Sequence, residues 1–97
     1  MSGPFKGVRV LELTSTVSGP FAGMMLADQG AEVIKVEPPG IGDLARFMGT
    51  TKEGMGAMFS TLNRNKKCIC LDFKNEEDLS VLKELVKTSD VLIENYR

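Results

Sequence analysis

With no histidine in its 97 residues, this chain must draw any chemistry from thiols, carboxylates and amines. Cys68 and Cys70 are the only cysteines, set two apart in a strand-like run, Cys68-Ile69-Cys70-Leu71, that points both to one face. Two thiols without histidine cannot complete a structural zinc site, so no metal is expected. A C-x-C redox pair is the functional reading; small buried hydrophobes in a reducing compartment is the one adopted. Among the carboxylates, Glu37 and Asp72 end strands, Asp28 sits on a helix and Asp43 in a loop. Glu37 falls about 20 residues after the first loop, where dinucleotide folds keep a ribose-binding carboxylate, but the glycine fingerprint is missing. A strand-end carboxylate capping a neighbouring turn is the plainer role. Arg64, Lys66 and Lys67 crowd one turn and Lys74 follows the next strand, a set that could meet a phosphate or simply be solvated. No nucleophile elbow and no Ser-x-x-Lys pair is present, so the chain holds no complete catalytic set.

The elements that must position these groups follow an alternating pattern. Val8, Val10, Leu11 and Leu13 make a short, dense apolar run, the mark of a strand covered on both faces. Pro20 suits a first helical position with Ser18 or Gly19 as cap; Phe21, Met24 and Met25 recur at helical spacing, and Gly30 supplies a left-handed stop. Strands are predicted at 8–13, 32–36, 68–72 and 91–94, all parallel, with right-handed crossovers. Residues 41–53 carry no periodicity and read as irregular or as a flap, whereas Met55, Met58, Phe59 and Leu62 have the spacing of a short helix. The strongest helix signal covers 75–88: Asn75 caps, Glu76, Glu77 and Asp78 fill the first turn, and Leu79, Leu82, Leu85 and Val86 form the stripe. The predicted fold class is therefore α/β, a Rossmann-like parallel sheet of about four strands with helices on both faces. The unit from Gly7 to Glu37 puts a helix N-terminus at the end of a buried strand, where such folds hold phosphates and ribose.

Size and charge bound the partners. One domain of this length buries only about 60 to 65% of the surface its unfolded chain exposes. With Lys+Arg 12 against Asp+Glu 13, a net charge of -1 offers no field to attract nucleic acid or an anionic membrane. The chain has no apolar run long enough to span a bilayer and no charged-then-apolar leader, so a cytoplasmic location is expected. The ending at Asn95-Tyr96-Arg97, directly after a strand, reads as a cut.

Seven blocks in order resemble the N-terminal quarter of the family III CoA-transferases of CaiB/BaiF type, the group that includes formyl-CoA and carnitine CoA-transferases and the α-methylacyl-CoA racemases. They are Gly7 to Thr14, Gly19-Pro20-Phe21-Ala22, Leu26 to Glu37, Gly42-Asp43, Asn63 to Lys67, Leu71 to Lys74 and Asp90 to Arg97. The resemblance implies the CoA-binding first part of a Rossmann-like domain over residues 1–97, with coenzyme A or acyl-CoA as substrate. It implies contacts to CoA from Val17 and Ser18, from Leu71, Asp72, Phe73 and Lys74, and from Asn95, Tyr96 and Arg97. It implies a reaction that moves CoA between an acyl-CoA and a carboxylic acid through an attacking aspartate located beyond Arg97, so that this chain alone would be inactive. Family members form interlocked dimers, and a homo-oligomer is expected. An arginine common in the family stands where this chain has Pro38, and Val17 replaces the glutamine of formyl-CoA transferases. An acyl-CoA racemase fragment is one alternative; a non-catalytic CoA-binding or protein-interaction module is another.

Overall fold

A computed structural model of the protein describes residues 3–49, 51–52 and 55–96. In chain order the elements are β1 (Arg9–Leu13), α1 (Ser18–Asp28), β2 (Glu32–Glu37), a 3-10 turn (Leu44–Phe47), β3 (Thr51–Lys52), β4 (Met55–Gly56), α2 (Ala57–Leu62), β5 (Lys67–Cys70), α3 (Glu76–Lys87) and β6 (Val91–Glu94). The main sheet has the order β5-β2-β1-β6 and every pairing in it is parallel, with Val10 opposite Val33 and Val91, and Val36 opposite Ile69. The four predicted strands are thus present and parallel.

Strand alternation assigns each side chain to a layer. Val10 and Val33 meet Ala27 and Ala31 on the α1 side, joined by Leu26 and Ile93. Leu11 and Val36 meet Leu71 on the other side, where Leu82 and Leu85 of α3 close the layer. Helices therefore cover both faces. The α3 boundaries follow the predicted signals: the Asn75 side chain accepts from Asp78 N at 3.0 Å, and the acidic first turn faces the helix's positive end.

Four expectations change. The first helix opens at Ser18 with Val17 as its cap residue, so Pro20 is the third helical position rather than the first, and no side chain caps the end. The segment predicted as irregular holds the 3-10 turn and a two-stranded antiparallel hairpin of β3 and β4. Met55 belongs to that hairpin, which shortens the second helix to six residues. Gly56 makes the junction possible, because a Cβ there would lie 2.7 Å from the carbonyl oxygens of Ala45, Arg46 and Met48. Cys68 and Cys70 do share a face, but both residues are exposed rather than core, since β5 is an edge strand. The Cys68 thiol is pushed up by partial burial of its sulfur and by the neighbouring Glu37 carboxylate.

Candidate functional site

The chain leaves β1 to the α1 side, builds outward through β2 to β5, then returns under the sheet through α3 to pair β6 with β1. The strand order reverses between β1 and β6, and the carboxyl ends of those two strands frame the crevice where open α/β sheets take ligands.

Two loops meet there. Ser15 N donates to Asn95 Oδ1 at 3.0 Å while Asn95 Nδ2 donates back to Ser15 O at 3.0 Å, so one amide side chain grips one residue's backbone from both ends. Asn95 Nδ2 also lies 3.4 Å from Ser18 Oγ, and the Tyr96 hydroxyl 3.4 Å from Thr14 O. Partial burial, then the carboxylates of Asp43, Glu37 and Glu12, raise the Tyr96 phenol above its ordinary value, which keeps it a donor. Close approach depends on Gly19: a Cβ would sit 2.6 Å from Thr14 Cγ2 and 3.0 Å from Asn95 Cγ. The first turn of α1 opens into this crevice with no acidic residue and no capping side chain, an arrangement suited to an anion.

Beneath the crevice, on the α1 side, lies a buried cluster of charges. Lys35 is fully buried; its Nζ lies 2.8 Å from Asp43 Oδ2 and 3.1 Å from Glu12 Oε2, and it donates to Thr14 O and Oγ1 at 3.2 Å. Thr14 Oγ1 in turn donates to Glu12 Oε2. Lys66 completes the set, its Nζ 2.7 Å from Glu12 Oε1 and hydrogen-bonded to Pro20 O at 2.9 Å and Asn63 Oδ1 at 2.8 Å. The ammonium contacts to Glu12 Oε1 and Asp43 Oδ2 are close but poorly directed for hydrogen bonding, so charge attraction holds them. Two cations and two carboxylates balance, as burial of charge demands. Burial nevertheless pulls the Lys66 ammonium below its ordinary value, with Glu12 opposing the drop.

The structure places the sequence-derived candidates in two groups. Ser18, Asn95 and Tyr96 converge at the switch point, with exposed Val17 beside them on the wall of a groove of about 400 Å³ that Ala57, Met58 and Leu62 also line. Leu71 to Lys74 follow β5 at the opposite edge of the sheet, three strand spacings or about 14 Å away. Leu71 is buried in the α3-side core, Asp72 accepts from Lys74 N at 3.0 Å in a turn, and Phe73 and Lys74 are exposed. Arg97 lies outside the described residues. Of the basic turn, Arg64 pairs with Asp28 and Lys67 with Glu32 at the surface, while Lys66 is an interior group. Glu37 does hold a neighbouring turn, through Arg46, whose guanidinium stacks 3.8 Å over the Phe59 ring. Among the described residues no group of three or more His, Cys, Asp or Glu could hold a metal, and no helix is long and apolar enough to cross a membrane. The buried cluster was missed although its signal is present: Glu12 and Lys35 interrupt runs otherwise read as buried on both faces.

Comparison with known proteins gives this geometry a context. The family model of CoA-transferase family III matches residues 5–97. The chain is 44% identical over 95 residues to the acetyl-CoA:oxalate CoA-transferase of Acetobacter aceti, covering 98% of this chain and 24% of that protein. It is 46% identical over 94 residues to the succinyl-CoA:glutarate CoA-transferase of Homo sapiens, covering 96% and 22%. A crystal structure of a CAIB/BAIF family protein from Brucella suis superposes with a TM-score of 0.90 at 40% identity, over 99% of this chain and 26% of that one. The chain thus spans about a quarter of the length of the relatives it matches.

Proposed function

Because the chain belongs to CoA-transferase family III, we propose that it forms the N-terminal CoA-binding part of an enzyme that transfers CoA between an acyl-CoA and a carboxylic acid. The observation that carries this reading is the meeting of the loops after β1 and β6 at the switch point, where Asn95 holds Ser15 and reaches Ser18. That crevice offers an uncapped helix N-terminus to a phosphate and an apolar groove beside Val17 to a thin, uncharged chain. Lys74, at the far edge, supplies a cation that an elongated ligand such as CoA could reach while still occupying the crevice. In this reading the chain supplies ligand contacts, and the bond-making groups lie in the rest of such an enzyme. The names of the relatives above, which are CoA-transferases, support transfer over racemisation.

A homodimer in the cytoplasm completes the proposal. Phe21 and Met25 on α1 and Leu44 and Phe47 on the 3-10 turn are large apolar residues left exposed, the kind of surface that association buries.

Calorimetry with CoA tests the binding claim. Weak binding, no tighter than about 0.1 mM because many contacts of a complete enzyme are absent, and weakened further by Lys74→Ala, is the expected result. Absence of heat at millimolar CoA contradicts it, and binding indifferent to Lys74→Ala removes Lys74 from the site.

A further inference from the structure

Thr16, in the loop between β1 and α1, has a φ of 73°, the left-handed region that a β-branched residue rarely adopts. One carboxylate holds it there. Asp43 Oδ1 accepts from Thr16 N at 2.9 Å, from Ser15 Oγ at 3.2 Å and from Ala45 N at 2.8 Å, while its Oδ2 faces Lys35 Nζ at 2.8 Å. On its other side the same two-residue segment is held by Asn95. Asp43 is 1% exposed, so it reaches no ligand directly. Burial would raise its carboxyl, but the Lys35 ammonium and the N–H groups of Ala45 and Thr16 more than offset that and hold it below its ordinary value.

We propose that Asp43 is a positioning residue of the switch-point site: its charge, anchored on Lys35, fixes Ser15 and Thr16 in the conformation that meets Asn95 and opens the first turn of α1 to a ligand. This rests on the CoA-binding reading above. The plainer role, capping the 3-10 turn through Ala45 N, is served equally well by asparagine. Asp43→Asn therefore separates the two, since it keeps an acceptor for Ala45 and removes the charge that Lys35 and Thr16 use.

The test measures CoA affinity by calorimetry and amide exchange by NMR in the 97-residue chain and in Asp43→Asn. Positioning predicts a protected Thr16 amide, exchange about tenfold faster in Asp43→Asn, and CoA binding weakened by about tenfold, with the Arg46 and Met48 amides of the turn unchanged. Should Asp43→Asn fail to fold, Ser15→Ala decides: it removes one partner of the carboxylate and keeps the charge pair, and is expected to weaken CoA binding about threefold. Equal affinity and equal Thr16 exchange in the folded variants overturn the proposal, as does a Thr16 amide in the unaltered chain that exchanges as fast as an open loop. If the unaltered chain binds no CoA, the functional reading fails while Thr16 exchange still decides whether Asp43 holds the loop.

Discussion

Gly23→Ala should destabilise this protein, although the same change in the middle of an ordinary helix stabilises by about 1 kcal/mol. Gly23 lies in α1 directly over Glu12: a Cβ there would overlap Glu12 Oε1, lie 3.0 Å from its Cδ and 3.2 Å from Lys66 Nζ. The carboxylate cannot swing aside, because Lys66 and Lys35 hold its two oxygens in a dry interior. Forcing a methyl into a filled core costs about 1 to 3 kcal/mol. Breaking a buried ion pair outright costs about 3 to 5 kcal/mol, and a partial displacement costs a fraction of that. Setting the helical gain against these two terms leaves a net loss of about 2 to 4 kcal/mol. In a domain of this size that lowers the melting temperature by about 10 to 25 °C. Urea denaturation of the two proteins measures the difference, with Ala22→Gly as a control that should lose only about 1 kcal/mol. A Gly23→Ala protein as stable as the parent, or more so, would show that Glu12 is not packed against α1.

Lys66→Met should cost about 3 to 5 kcal/mol by stranding Glu12, whereas Lys67→Met, which breaks only a surface pair with Glu32, should cost less than about 1 kcal/mol; equal losses in denaturant would contradict the burial of Lys66. The Lys35 ammonium and two backbone N–H groups hold the Asp43 carboxyl below its ordinary value of 3.8 in the fold, so its contribution is fully present above that pH and is lost as pH falls through the lower folded value; acid titration by circular dichroism should show a flatter limb below about pH 4 in Asp43→Asn, and identical limbs would count against it. Both cysteines should react with a thiol reagent in the native state, and protection of either until denaturant is added would restore the buried reading. Sedimentation at tens of micromolar should show a dimer or larger species, and monomer alone would refute the proposed association.

The parallel sheet was readable because each strand is a compact apolar run bounded by turn residues, and α3 because Asn75, the acidic first turn and the leucine stripe all agree. The hairpin of β3 and β4 was not, since two-residue strands are shorter than any periodic signal. Cys68 and Cys70 misled because the apolar run gives no sign of which strand will lie at an edge; that depends on the order in which strands pair. Loops at the carboxyl ends of the strands could be placed from the sequence, but not that Asn95 would grip Ser15, a contact spanning 80 residues that only the return of β6 beside β1 creates. Lys66 could not be read as interior from a run of basic turn residues; its burial follows from α1 and α2 closing over Glu12.

If the proposed function holds, CoA occupies the crevice between the ends of β1 and β6. An NMR titration of the 97-residue chain with CoA tests it most directly, because the amides of Ser15, Ser18 and Asn95 report that crevice and Lys74 reports the far edge of the sheet. Saturable shifts at all four, with a common dissociation constant no tighter than about 0.1 mM, are expected. Shifts confined to other surfaces, or none at millimolar CoA, would contradict it.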